Sequence, residues 1–482
     1  MGARVVALGR PAVMRALSAF AVALALWASA SASVHAAPAA PGPKRTVSTA
    51  RLRAAAITST PIPASPIAGT LNASTDPSDA FSVALAPGDR LSVEVTGAAG
   101  TDIDLFLLWP TAQSLDEFDL AAASVGVTYP EQLEFDCAQA GTYYLHVYCG
   151  LGSGAYTATW TIAPATSTPT IGRAAGATRY ETAIAASAQS YPAGTSRDAV
   201  LATGEKFPDA LAASGLAGIL GCPVLLTPVA SLPAGVVPEL ERLGVTDVHI
   251  VGGSAAVSEA IRDQLDALGY ATYRYAGADR YDTSAVVANA VLGLRATAPP
   301  LAFVARGDLY PDALSVSPIA YQHAYPVLLT RSSGLPTTVR ASLNAASPAT
   351  IIVAGGTGAV PAAVATQIEG LAFGPDVVRL GGPTRYETAT LIDGYAVSHY
   401  LAMPDRIGFV CGTRFPDAVV GGPAIGHWGG MLLLTETASL NASSRTSLEG
   451  WADSGLVDEV TIYGGTVAVS DAAQGQIAAV LP

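Results

Sequence analysis

Three arginines recur along the chain, each followed by a tyrosine, an acid and a threonine. They open Arg179-Tyr180-Glu181-Thr182, Arg280-Tyr281-Asp282-Thr283 and Arg385-Tyr386-Glu387-Thr388. Further along each copy stands an F/Y-P-D-A run, which supplies Asp209, Asp312 and Asp417. A guanidinium presents a planar fork of donors suited to carboxylate and other oxyanions, and an aspartate accepts from amides and hydroxyls. Helix starts in a parallel α/β layer gather at one end of the sheet, where such layers also place ligands. Pairs Arg179–Asp209, Arg280–Asp312 and Arg385–Asp417 are therefore expected, either as a structural clamp or as hydrogen-bonding groups for a saccharide. One reaction centre does not need three copies. Weak contacts repeated along a polymer do, because linked sites combine into strong retention.

Catalytic and metal chemistry find little else to stand on. The six histidines fall singly, with no H-E-x-x-H and no Cys/His metal spacing. No G-x-S-x-G elbow or S-x-x-K run occurs among the serines. Asp102 and Asp104 alternate on a strand edge and read as turn and solvent-face residues rather than calcium ligands. The expectation is that the chain is not an enzyme and holds no metal or cofactor.

The elements that must position the motifs repeat with them. The copies open as RAAGATRYETA from Arg173, RYAGADRYDTS from Arg274 and RLGGPTRYETA from Arg379. Each continues through a helix, an apolar strand, the F/Y-P-D-A run opening another helix, a second strand (CPVLLT, YPVLLT, GMLLLT), then strand, glycine pair and helix. The strands are continuous apolar runs, as in parallel sheets buried on both faces. Proline in F/Y-P-D-A presets φ for a helix start, and the aspartate is expected to accept from the amides of that first turn. The pairs Gly252–Gly253, Gly355–Gly356 and Gly464–Gly465 follow a strand and precede a helix, but none completes a nucleotide-binding pattern. They read as strand-to-helix turns that need positive φ and close approach. No strand equivalent to Ala271–Arg274 follows the last helix. If that strand completes the preceding layer, the third layer is expected to lack it, which puts equal binding by the three copies in question.

Arg4, Arg10 and Arg15, the apolar stretch Ala16–Ala30 and the small residues Ser33–Ala36 read as a signal peptide over residues 1–36. Residues 37–66 are rich in Ala, Pro, Ser and Thr and read as a linker. Residues 67–164 alternate in short runs with turn signals and read as a small antiparallel β-sandwich. Within it, Gln132–Gly150 is expected to form a hairpin. Cys137 and Cys149 would then sit out of register, so no bridge is expected. Cys222 and Cys411 read as buried core residues. The formal charge is −13, or −16 without the leader, and lysine is limited to Lys44 and Lys206. That balance argues against nucleic acid as a partner.

The series R-x-x-G-x-x-R-Y-E-T, F-P-D-A-L, P-V-L-L-T and V-G-G-x-x-A-V-S resembles the cell wall-binding repeat 2 family, with copies at 171–273, 274–378 and 379–482. SDAFSVAL, APGDRLSVEV, TDIDLFLL, AGTYYLHVY and GAYTATW resemble the bacterial pre-peptidase C-terminal domain family. The first resemblance implies three α/β modules with mainly parallel sheets about a pseudo-threefold axis. It also implies non-covalent retention on the wall through an anionic wall polymer or other wall polysaccharide, with the fifteen motif residues named above as its repeated positions. The second implies an exported accessory module with an unassigned ligand. The expectation is a secreted protein of the cell wall or cell surface. A wall hydrolase targeted by the repeats, or an adhesin acting through the β-sandwich, are the alternatives.

Overall fold

The structure, a computed structural model, describes residues 4–5, 57, 59–112, 120–124, 130–164 and 168–482. The expected leader, apart from residues 4–5, and the expected linker, apart from residues 57 and 59–66, fall outside the described residues. The chain divides into two compact units, Met1–Ala165 and Thr166–Pro482. No helix among the described residues is long and apolar enough to cross a membrane.

The first unit is β-rich. Its strands are β1 (Arg4–Val5), β2 (Thr60–Pro61), β3 (Ile67–Asn72), β4 (Ser78–Leu85), β5 (Asp89–Gly97), β6 (Asp102–Leu108), β7 (Leu120–Ser124), β8 (Glu131–Asp136), β9 (Gly141–Leu151) and β10 (Ser153–Pro164). They form two five-stranded sheets, β1-β8-β5-β10-β3 and β2-β4-β9-β6-β7, antiparallel except where the two-residue β1 and β2 join. Period-two burial aims Leu91, Val93 and Val95 of β5 and Tyr143, Leu145 and Val147 of β9 into the interior. The expected hairpin over Gln132–Gly150 does not form. β8 pairs with β5 in one sheet while β9 pairs with β4 and β6 in the other. The segment between them therefore crosses between sheets instead of turning back on its own strand. Cys137 and Cys149 are buried free thiols, as are Cys222 and Cys411.

The second unit holds three four-stranded parallel sheets. The first runs Val224–Thr227, Asp198–Thr203, Asp247–Val251, Ala271–Tyr275. The second runs Val327–Thr330, Leu301–Arg306, Thr350–Ala354, Asp376–Leu380. The central strands are buried along nearly their whole length, as continuous apolar runs require. The expectation that the third layer lacks a strand is corrected here. Its order is Met431–Thr435, Arg406–Cys411, Glu459–Tyr463, and then Thr170–Ala174 from the start of the first repeat. The opening strand of each copy completes the sheet of the copy before it, and the first copy's opening strand completes the last.

Three helices pack on one another: Ala213–Leu220 and Ser317–His323, which follow their F/Y-P-D-A runs, and Phe415–His427, which begins with its own. Close approach is set by glycine: a Cβ on Gly218 would lie 2.0 Å from the Tyr321 carbonyl oxygen. Tyr321 fills the middle of this contact, its hydroxyl 2.7 Å from that of Tyr191 and 3.3 Å from His427 Nδ1. One apolar core draws on all three repeats, including Leu211, Leu314 and Val420, while three others fill the remaining faces of the individual layers.

Candidate functional site: the rims between repeats

Each RY motif starts a helix: Arg179–Ser190, Arg280–Leu294 and Arg385–Ser398. The acids of the motif are explained locally. Thr178 and Glu181 form a capping box, as do Thr384 and Glu387. The second copy has Asp279 as its cap, bonded to the amides of Tyr281 and Asp282 at 2.9 and 3.0 Å. Asp282 is freed from the reciprocal bond and accepts from Thr338 instead, at 2.7 Å. The Glu-to-Asp departure in this copy thus accompanies a change of cap. Tyr180 lies against Gly204, Tyr281 against Gly307 and Tyr386 against Gly412.

The arginines reach the same turns. Arg179 Nη1 donates to the Gly204 carbonyl at 2.5 Å, Arg280 Nη1 to Gly307 at 2.9 Å, and Arg385 Nη1 to Gly412. The expected pairing of each arginine with the aspartate of its own copy is not what forms. Asp209 accepts from the Thr283 hydroxyl and feels the charge of Arg280; Asp312 has Thr388 and Arg385; Asp417 has Thr182 and Arg179. The pairs join each repeat to the next, and the third to the first. The cause is the shared strand: Ala271–Tyr275 lies in the first sheet, so the chain leaves it at the end where Asp209 sits and begins the second RY helix there. Nor do the aspartates cap their own helices. Thr182, Thr283 and Thr388 are buried, and each hydroxyl also accepts from a glycine amide of its own copy, Gly176, Gly277 or Gly382, at 3.1–3.2 Å. Burial pushes the three aspartate carboxyls up, against the threonine bond and the arginine charge, which favour the carboxylate.

The first glycine of each pair has the structural role expected; the second, Gly253, Gly356 or Gly465, has neither the positive φ nor the close approach. Gly252, Gly355 and Gly464 have φ of 116°, 108° and 115°. A Cβ there would stand 2.8, 2.4 and 2.6 Å from the Oδ2 of Asp209, Asp312 and Asp417. Only glycine meets both demands. Their carbonyls accept from Arg274, Arg379 and Arg173, the first residues of the repeat openings, at 2.9, 2.9 and 2.6 Å.

Phe207, Tyr310 and Phe415, one from each repeat, form a triangle with ring centroids 5.4, 5.6 and 6.0 Å apart. Arg280 lies over Phe207, Arg385 over Tyr310 and Arg179 over Phe415, at 5.6–5.9 Å. A cavity of about 520 Å³ opens between the second and third repeats, with Phe207, Leu309, Tyr310, Asp312, Pro383 and Arg385 in its wall. A half-buried ring, a guanidinium and a carboxylate on one rim can stack on a sugar face and hydrogen-bond its hydroxyls or charged groups. The sequence reading gave no role to the aromatic triangle or to Arg173, Arg274 and Arg379. Their signal was present in the threefold recurrence of those positions, which singled out the proline and aspartate but applied equally to the residues beside them.

The C-terminal two-thirds is thus three α/β repeats whose successive rims present the same set of Arg, Asp and aromatic side chains. The profile of cell wall binding domain 2 (CWB2) matches residues 173–262, 274–365 and 379–474, and the chain belongs to that family. The bacterial pre-peptidase C-terminal domain matches residues 77–148. The chain is 30% identical over 305 residues to the N-acetylmuramoyl-L-alanine amidase LytC of Bacillus subtilis, covering 63% of this chain and 57% of that protein. It is 28% identical over 275 residues to the amidase enhancer of the same organism, covering 57% of this chain and 36% of that one. The chain thus spans about half or less of these relatives. Among solved structures it shares the fold of Cwp6 from Clostridium difficile (20% identity, TM-score 0.61, 84% of this chain and 68% of that one). It likewise resembles Cwp8 (23%, 0.56, 64% and 51%).

The amidase relative corrects the expectation that the chain is not an enzyme. A protein named for a wall-cleaving activity shares close to a third of its aligned residues with this chain, over a length near that of the three repeats. The lack of a familiar catalytic motif was too narrow a ground for that exclusion.

Proposed function

We propose that the chain is an exported surface protein, its leader removed, whose three repeats hold it non-covalently on the cell wall by binding an anionic wall polymer. The N-terminal β-sandwich serves as an accessory or adhesion module. The three modules stand about a pseudo-threefold axis through the Phe207–Tyr310–Phe415 triangle, and each rim offers the polymer one binding position. The observation that carries this reading is the threefold set of Arg, Asp and aromatic side chains at successive rims, joined in a ring by Asp209–Thr283, Asp312–Thr388 and Asp417–Thr182. Arg179, Arg280 and Arg385 give a strongly acidic chain a local cationic face, and three linked weak contacts combine into firm retention. Sedimentation of the purified chain with Gram-positive walls, before and after extraction of their anionic polymers, tests it. Binding lost with the polymer is expected; failure of the folded chain to bind untreated walls overturns the reading.

The amidase relative favours a second reading, in which the chain takes part in wall hydrolysis and the repeats target it. Release of soluble wall fragments by the purified chain is its test.

A further inference from the structure

The three rims share their motif residues but differ at the position just before each aromatic ring, which is Lys206, Leu309 or Arg414. All three side chains are exposed. The neighbours decide how much charge each position adds. Lys206 follows Glu205, an exposed acid that accepts from the Val229 amide, and the same rim includes Asp279, paired with Arg331 at 2.6 Å. Leu309 follows Asp308, which is paired with Arg306. Arg414 follows Thr413, which has no charge, and Arg414 forms no ion pair with another side chain within 4.0 Å among the described residues. Its charge reaches Asp417, the carboxylate that also feels Arg179, just as that of Lys206 reaches Asp209 beside Arg280; the two rims differ in that Lys206 stands next to an acid and Arg414 does not. The rim between the third and first repeats thus has two arginines around one half-buried aspartate. In the middle rim Asp312 feels one arginine, Arg385, while Arg306 is held by Asp308, and Leu309 stands 45% exposed at the mouth.

From these differences, and resting on the wall-anchor reading above, we infer that the rims divide the ligand between them. The rim closed by Arg179 and Arg414 holds the anionic groups of the polymer, and the middle rim, with Leu309 and Tyr310, takes the uncharged face of its sugars. Oxyanions favour a site with two guanidinium forks, and apolar sugar faces favour an exposed aliphatic and an aromatic ring. Because Arg179 belongs to the first repeat and Arg414 to the third, an anion between them also ties together the two repeats that are not consecutive in the chain.

The full chain and three single variants, Arg414→Leu, Lys206→Leu and Leu309→Ala, would be compared for binding to purified Gram-positive walls across a salt series. All three positions are exposed, and unchanged melting temperatures would show intact folds. Arg414→Leu is expected to weaken binding about tenfold and to flatten its salt dependence, as loss of a charge-assisted contact does. Lys206→Leu should cost less than about threefold. Leu309→Ala should weaken binding with the salt dependence unchanged. Equal effects of Arg414→Leu and Lys206→Leu, or none, in a wild-type chain that binds walls would overturn the division of rims. A wild-type chain that fails to bind would instead remove the wall-anchor reading on which it rests. Extraction of walls with hydrofluoric acid separates the two sources of anionic groups: phosphodiester polymers are removed and binding falls, whereas carboxylate polymers remain and binding persists.

Discussion

The junction that closes the ring of repeats and the two that join consecutive repeats use the same parts with different connectivity. Between the first and second repeats, the strand Ala271–Tyr275 runs straight on into the helix that supplies Arg280 and Thr283. Between the third and first, the strand Thr170–Ala174 comes from the far end of the repeat region and pairs with Glu459–Tyr463 without the chain running on from one repeat to the next. The side-chain chemistry is nevertheless the same: Thr182 on Asp417, Arg179 over Phe415, Arg173 on the Gly464 carbonyl. Side-chain and ladder contacts therefore suffice to reproduce a junction that elsewhere is helped by chain continuity. They also make the closing junction the one most exposed to perturbation.

The largest test of that equivalence is the glycine that each aspartate approaches. Gly464→Val, Gly355→Val and Gly252→Val each place a branched side chain at a φ above 100° and within 3 Å of a carboxylate oxygen. Each should cost beyond about 4–5 kcal/mol, comparable to the whole stability of a domain. The expected outcome in all three is insoluble protein or loss of the cooperative melting transition. A Gly464→Val chain that melts like wild type would show that the closing junction contributes little to the fold.

The next effect is one of pH and belongs to the closing sheet. Burial pushes the carboxyl of Asp405 up to about 7, with the charge of Arg406 opposing the rise and the like charge of Asp458 adding to it. The Asp405 carbonyl accepts the amides of Asp458 and Glu459, where the strand that receives Thr170 begins. An acid with a raised folded pKa favours the folded state when protonated. The stability it contributes is complete below about pH 4 and disappears as pH rises through 7, by about 4 kcal/mol at most. At the same place in the first sheet, the hydroxyl of Thr246 donates to Asp247 and the exposed Arg197 pairs with it at 2.9 Å, and together they hold that carboxyl down, which acts in the opposite direction. Thermal melts of wild type and Asp405→Asn from pH 4 to 8 check this. Wild type should lose stability toward pH 8, and the variant should be flatter. An unchanged slope in the variant would place the dependence elsewhere.

These contrasts explain what was readable in the sequence. The motifs recur in order, so the three α/β layers, the buried strands and the glycine turns could be taken from periodicity and residue type. The partners of Asp209, Asp312 and Asp417 could not. Repetition shows which residues are equivalent but not whether a strand stays with its own copy, and the strand exchange set every motif aspartate against the threonine and arginine of a neighbouring copy. The missing fourth strand of the last layer was misread for the same reason. In the β-unit, alternation located β8 and β9 but not the sheet each would join, because a short connection can either turn back or cross between sheets.

Removing the aspartates compares the junctions more finely. Asp417→Ala, Asp312→Ala and Asp209→Ala each strip a buried threonine hydroxyl of its acceptor while relieving a half-buried carboxylate, so a net loss of about 1–2 kcal/mol is expected. At the consecutive junctions the chain keeps the two repeats together and limits the damage. At the closing junction it does not, so Asp417→Ala should stand at the upper end. Denaturant titration of the three variants measures the difference, and a smaller loss at Asp417 than at Asp209 would contradict the argument.

The smallest effect separates the first and third RY helices from the second. Thr178→Ala and Thr384→Ala each remove one side of a capping box and should cost about 1 kcal/mol. Asp279→Ala removes a cap that bonds two amides and also holds Arg331. Its surface ion pair adds less than about 1 kcal/mol, and salt screens that part. At low ionic strength the second helix should therefore be the most sensitive of the three to loss of its cap. At high ionic strength the three should converge, because amide capping is all that remains common to them. Melting temperatures of the three variants at low and high salt test this, and a gap that persists at high salt would mean that the two amide bonds of Asp279 outweigh the reciprocal bond of the boxes.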